Sequence, residues 1–150
     1  NFASKEDLFS EVAQRAAQEI QTSLEGDGGD VRERLLGFAT LFQQRVLSWE
    51  GLAMFRTLSA EAPRFPALGQ AFYDKGPKRT LDGLAAFLAR AMEEGRLRRD
   101  APQFAAELLM GMLVGFEKTR RLFCAEAARA QVESGRAERI VDCFLRIYSL

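Results

Sequence analysis

The chain has 150 residues, with 21 basic and 21 acidic side chains and no histidine. Without histidine, the chain lacks histidine-dependent nucleophile pairs and histidine-ligated zinc, haem and di-iron sites, so we expect no enzyme activity, no metal and no other cofactor. The balanced charge provides no basic footprint for nucleic acid within these residues.

The composition predicts an all-α fold in a single domain. Alanine and leucine contribute 41 residues, whereas valine, isoleucine and threonine contribute 14, a balance that favours helices over strands. The longest strongly apolar stretch, Leu108 to Phe116, is too short to cross a bilayer, and no signal segment is present. Cys124 and Cys143 form no disulfide framework. We therefore expect a cytoplasmic protein without a membrane partner.

The first helix is predicted to begin after Ser4. Its hydroxyl can accept a hydrogen bond from an amide of the first turn, and Asp7 can reach back to the Ser4 amide. Phe2 before this cap and Leu8 inside the helix can form an apolar clasp. On physical grounds alone this is an ordinary helix start. Its apolar face is predicted to contain Leu8, Val12, Ala16, Ile20 and Leu24.

The middle of the chain predicts two further helices and then a broken one. Asp30 can cap the second helix, whose buried stripe is Val31, Leu35, Phe38, Phe42 and Val46. The third helix is predicted from about Glu50 to Glu61. The next helix contains Pro77, which predicts a kink or brief break after Gly76, and ends at Gly95.

The last two helices carry more apolar surface than one core face requires. Asp100, with Gln103, is predicted to cap a helix whose segment Phe104 to Phe116 contains one charge, Glu107. Gly111 and Gly115 in it would admit another backbone. The final helix, roughly Ser134 to Ser149, is similarly apolar. We expect an all-α bundle of about six helices in which the last two pair with their copies in a homodimer. The alternative is a monomer whose last helix packs centrally. The predicted interface residues are Met110, Leu113, Ile140, Phe144 and Ile147.

The opening octet Phe2-Ala3-Ser4-Lys5-Glu6-Asp7-Leu8-Phe9 resembles the junction that closes the helix-turn-helix of TetR-type transcriptional regulators. The segment from Glu61 to Pro66, followed by Ala71-Phe72-Tyr73 and Gly76-Pro77, is similar to a subgroup of their C-terminal domains. The resemblance implies that residues 1–4 are the remnant of this junction. It also implies that residues 5–150 form an effector-binding and dimerisation domain and that DNA is bound through a missing N-terminal helix-turn-helix.

The function predicted in this way is a ligand-responsive regulator, a repressor, with a small apolar or amphipathic effector. Lys5, at a helix N-terminus, is the residue predicted to contact the DNA backbone; otherwise it is a solvated surface lysine. The alternative function is a helical dimerisation or protein-interaction module without a ligand. The resemblance places the predicted effector residues around one cavity: Phe42, Trp49, Met54, Phe55, Phe72, Met112 and Phe116. Tyr73, Gln43 or Arg120 are candidates for a polar contact.

Overall fold

The fold is a bundle of α-helices. The computed structural model describes residues 5–26 and 29–150, with Lys5 and Glu6 described as backbone only. The predictions on residues 1–4 and on the Lys5 side chain therefore lie outside the described residues. Across the described ranges the chain forms helices and no strand: α1 (Lys5–Thr22), α2 (Val31–Val46), α3 (Trp49–Glu61), α4 (Pro66–Lys75), α5 (Pro77–Glu93), α6 (Pro102–Phe123), α7 (Ala125–Arg129) and α8 (Arg136–Tyr148).

The all-α prediction is confirmed, and the eight helices exceed the expected number for two reasons. Gly76 interrupts the helical φ and ψ values between α4 and α5, so the predicted break before Pro77 separates two helices. The five-residue helix α7 was not predicted. None of the described helices is both long and apolar enough to cross a membrane.

Local capping explains several helix boundaries. Asp30 is the N-cap of α2, and its carboxylate accepts a hydrogen bond from the amide of Arg32 at 3.2 Å. Ser48 caps α3 by accepting from the amide of Gly51 at 3.0 Å. A Cβ at Gly51 would lie 2.2 Å from the carbonyl oxygen of Arg45, so only glycine fits this turn.

Asp100 has a different role from the predicted cap of α6. The helix starts at Pro102 with Ala101 as its N-cap, and one Asp100 oxygen accepts from the Ala101 amide at 2.8 Å. The other oxygen accepts from the Tyr148 hydroxyl at 2.6 Å. Gln103, the expected capping partner, instead donates to Asp82 at 3.0 Å. Asp100 therefore ties the start of α6 to the end of α8.

The core lies between α2, α5, α6 and α8, with α5 packed along α6 and α2 packed along α8. Phe38 and Phe42 stack with ring centroids 5.5 Å apart. The side chains with no exposed surface in this cluster include Leu35, Phe38, Leu84, Leu88, Leu109, Leu113, Val141 and Phe144.

Helix α6 breaks at Gly115, whose φ of 2° and ψ of −111° are not helical. The buried Gln43 side chain donates to the carbonyl oxygen of Leu113 at 2.7 Å, just before this break. A Cβ at Gly111 or Gly115 would meet nothing within 4 Å. The close backbone approach predicted at these glycines is therefore not made within the subunit.

Candidate functional site

The seven predicted effector residues occupy three kinds of environment. Phe42 belongs to the core, with 6% of its surface exposed. Met54, Phe72 and Met112 are half-buried. The remaining three are exposed: Trp49 at 44%, Phe55 at 37% and Phe116 at 79%. The structure therefore does not gather these side chains around one enclosed space.

Two clefts on the described surface lie elsewhere. The first, of about 120 Å³, is lined mainly by charged side chains and glycines near Arg34 and Arg96. The second, of about 400 Å³, lies between α1 and α5, beside Gln21 and Gly83. None of the predicted effector residues lines either cleft. The placement of these residues around an effector therefore stays a prediction.

The structure does place two of the predicted aromatic residues on the side of α3 that faces α6 and α7. The ammonium of Lys118 on α6 lies 3.5 Å from the ring centroid of Phe55. The guanidinium of Arg129 on α7 lies 4.5 Å from the ring centroid of Trp49. Arg56, on the same arc of α3, donates to the carbonyl oxygen of Leu122 at 2.6 Å. We call the five residues Trp49, Phe55, Arg56, Lys118 and Arg129 the α3–α6 seam.

The seam is positively charged. Within the described chain, no carboxylate lies within 4 Å of the charged nitrogens of Lys118 or Arg129. Burial lowers the pKa of Lys118 from its ordinary value, because desolvation penalises the ammonium. The ring of Phe55 offers only its quadrupole to this charge. Among the described residues, no carboxylate therefore forms an ion pair with these two cations of the seam.

A buried hub of Glu117 and Arg121 lies beside the seam. Arg121 is only 2% exposed, and its guanidinium bonds Glu117 at 3.0 Å, the carbonyl of Leu47 at 3.2 Å and that of Ala130 at 2.7 Å. These carbonyls belong to the residues that end α2 and α7. Arg121 therefore holds the ends of two helices against α6.

The charge of Glu117 is stabilised within this hub. Burial alone would raise its pKa, but hydrogen bonds from Arg120 and Arg121 outweigh burial and hold the pKa below the ordinary value. Sequence reasoning missed the hub, although Glu117 and Arg121 have the i, i+4 spacing of an ion pair. That spacing is also common on solvated helix surfaces, so it carried no sign of burial.

Comparison with known proteins identifies the family. The C-terminal domain of AefR-like transcriptional repressors, a TetR-type domain, matches residues 33–150. The chain belongs to the TetR family. Its relatives are transcription factors, a class without enzymatic activity.

Two solved structures share the TetR-family fold. One is described as a TetR-family transcriptional regulator from Mesorhizobium loti; it is 27% identical, with a TM-score of 0.76 over 99% of this chain and 77% of that one. The other is the flavonoid-responsive regulator FrrA, which is 24% identical, with a TM-score of 0.70 over 99% of this chain and 76% of that one. A comparison with curated proteins finds no match.

TetR-family regulators act as dimers. The residues predicted for that interface differ in how much of their surface is exposed. Leu113 and Phe144 have no exposed surface, so they belong to the core of one subunit and offer a partner nothing to bury. Met110 and Ile140 are half-buried, and Ile147 is 43% exposed.

The exposed apolar side of α6 contains Phe104 and not the predicted interface residue Leu113. Phe104 is 53% exposed, and Gly111 and Gly115 are exposed on the same side. Half-buried Leu108 and Met112 border them. The outer face, as we call it, consists of these positions on α6, the exposed apolar side of α8 and the residue at position 150 that follows α8: Phe104, Leu108, Gly111, Met112, Gly115, Ile140, Cys143, Ile147 and Leu150.

Proposed function

We propose that this chain is the effector-binding and dimerisation domain of a cytoplasmic, ligand-responsive transcriptional repressor that works as a homodimer. Membership of the TetR family supports the regulatory role, and the matching family is one of transcriptional repressors. The outer face is the single observation that carries the proposal, because a large exposed apolar patch on a soluble protein marks an interaction site.

The geometry of the outer face favours a second copy of the chain as its partner. The hydrogen bond between Tyr148 and Asp100 places the end of α8 beside the start of α6, so Ile147 and Phe104 border one surface. A surface made from two helices can pair with its own copy about a two-fold axis as a four-helix bundle. Gly111 and Gly115 would let the partner's helix approach closely.

The oligomeric state tests this part directly. Phe104→Asp introduces a charge into the outer face, and we expect it to convert a dimer into a monomer in sedimentation velocity at micromolar concentration. Phe65→Asp is the matched control, because Phe65 is 50% exposed but lies in the loop before α4. A wild-type monomer, or equal effects of the two variants, would contradict the dimer.

In the proposed mechanism, an apolar or amphipathic effector binds one arrangement of the dimer more tightly than the DNA-binding arrangement, and DNA is released. Only such a difference in affinity can shift the equilibrium. Exposed aromatic side chains at the seam support an effector of this chemistry. The helix-turn-helix predicted upstream would hold the DNA, with Lys5 at the phosphate backbone.

The regulatory role is tested with the product of the complete reading frame. We expect it to select a palindromic DNA site from random fragments and to release that site with one class of small molecule. Lys5→Ala is expected to weaken binding to all DNA sequences similarly, as loss of a phosphate contact does. A product that selects no DNA refutes the regulator.

A helical interaction module without a ligand is the second candidate. It is favoured by one observation: neither described cleft is lined by the aromatic residues predicted to hold an effector. A product that dimerises but neither binds DNA nor responds to small molecules would support this candidate instead.

A further inference from the structure

We propose that the α3–α6 seam binds an aromatic organic anion, whose acidic group pairs with Lys118 and whose rings lie against Phe55 and Trp49. The inference rests on the proposed function, since it assigns a chemical class to the effector. It goes further by naming the charge that the ligand carries and the side chain that recognises it.

Phe55 lies on the side of α3 that packs against the bundle, because Leu52 and Leu58 on either side of it are buried. More than a third of Phe55 nevertheless stays exposed. A large apolar side chain at the centre of an inward arc usually loses its contact with water. The remaining exposure of Phe55 leaves ring surface that a ligand can cover.

In the described chain, no carboxylate lies within ion-pair distance of Lys118 or Arg129, whereas Arg32, Arg45 and Lys78 each have at least one. Lys118 and Arg129 instead face aromatic rings. A half-buried ammonium without a carboxylate gains more from an added anion than a fully solvated one, since water screens it less.

The seam spans a defined distance along α3. Trp49 and Phe55 are six positions apart on one helix, which corresponds to a rise of about 9 Å and a rotation of about 120° around its axis. Each ring already accepts a cation on one face. A ligand whose linked rings span this distance can contact both side chains, while its acidic group reaches Lys118. A small inorganic anion would leave both rings uncovered.

Two fluorescent probes test the assignment on the purified chain. Anilinonaphthalene sulfonate is an aromatic anion, and N-phenylnaphthylamine has the same rings without the sulfonate. We expect the wild-type chain to bind the sulfonate about tenfold more tightly than the neutral probe. One charge-assisted hydrogen bond accounts for a difference of this size. Equal affinity, or a preference for the neutral probe, overturns the assignment without any variant.

Substitutions at Lys118 then locate the charge. Lys118→Met keeps an unbranched side chain over Phe55 but removes the ammonium, and we expect it to weaken the sulfonate about tenfold while changing the neutral probe less than about twofold. Lys118→Arg is expected to retain the affinity for the anion. Lys75→Met, at an exposed site on α4, is the matched control for net charge. If Lys118→Met and Lys75→Met weaken the binding of the sulfonate equally, the effect comes from the net charge of the chain, and the site is refuted.

These titrations involve no DNA, so they fail independently of the proposed function. If the complete product selects DNA and releases it only with neutral compounds, the regulatory function is supported and the anion site is refuted. If the seam selects the anion through Lys118 but the product binds no DNA, the anion site is supported and the regulatory function is refuted.

Discussion

Replacing Arg121 with methionine tests whether the buried hub holds the bundle together. The guanidinium is 2% exposed and makes three hydrogen bonds, one to Glu117 and two to the carbonyls of Leu47 and Ala130. Methionine retains much of the apolar stem and removes all three bonds. We expect the free energy of unfolding to fall, because two carbonyls lose their donor and Glu117 keeps only Arg120.

The size of the loss follows from the contacts. Removing one partner of a buried ion pair costs about 3–5 kcal/mol, and each carbonyl left without a donor adds to this cost. The surviving bond from Arg120 to Glu117 reduces it. We therefore expect a loss of about 3 kcal/mol for Arg121→Met, which lowers the melting temperature of a domain of this size by roughly 6–12 °C.

Urea unfolding followed by far-ultraviolet circular dichroism measures this loss, with all variants at one protein concentration because dimerisation adds to stability. Adding Glu117→Gln to Arg121→Met should recover part of the loss, since the uncompensated buried charge disappears. Arg99→Met, at an exposed arginine, is the control and should change stability by less than about 0.5 kcal/mol. The reasoning is refuted if Arg121→Met stays within about 1 kcal/mol of wild type.

Three further predictions concern Tyr148, Gln43 and Gly111. In Tyr73→Phe, where Tyr148 is the remaining tyrosine, an ultraviolet titration should give a pKa of about 12 for Tyr148, raised by burial and then by the bond to Asp100. Adding Asp100→Asn should lower this pKa only part of the way towards the ordinary value of tyrosine, because burial still raises it. The stability that the Tyr148 hydroxyl provides is complete below pH 10, where the hydroxyl of the unfolded chain still holds its proton, and it is lost as the pH rises towards 12. If the difference in unfolding free energy between this protein and Tyr148→Phe stays constant between pH 10 and pH 12, the linkage is contradicted. Gln43→Leu removes the donor to a buried carbonyl and should cost about 1–3 kcal/mol in the same urea assay; an unchanged midpoint would argue against that bond. Gly111→Leu should leave the fold intact, since a Cβ there meets nothing within the subunit, but weaken the dimer in sedimentation; unchanged dimerisation would place the partner's backbone elsewhere.

Local signals in the sequence were sufficient for most helix boundaries. Asp30 before an apolar stripe, Pro77 after Gly76, and Gly95 with its φ of 72° each mark a boundary that the structure contains. These signals work because capping and φ restrictions act within a few residues, so no knowledge of the tertiary contacts is needed.

The orientation of α6 could not be predicted in the same way. Its segment from Phe104 to Phe116 is apolar apart from Glu107, so periodicity shows which residues share a side but not which side meets the core. In the structure, Leu113 lies in the core, whereas Phe104 is exposed on the surface. Helical periodicity also does not extend through the break at Gly115, so it could not place the exposed Phe116 directly after that break.

The candidate site was only partly visible for a related reason. Aromatic residues on α3 could be named from the sequence, but their partners Lys118 and Arg129 come from segments far along the chain. Whether an aromatic ring lines a cavity, fills the core or lies beneath a cation depends on how helices pack, and composition does not carry that information.

The break at Gly115 divides α6 into two helical rods joined at a kink. The first rod carries Phe104 and Gly111 on the outer face, and the second carries Lys118 and Arg121. Because the φ and ψ values of Gly115 are not helical, the second rod need not continue the axis of the first, and its contacts are with α3 and the ends of α2 and α7. In the proposed dimer, the seam therefore lies beyond the kink from Phe104 and Gly111 of the outer face.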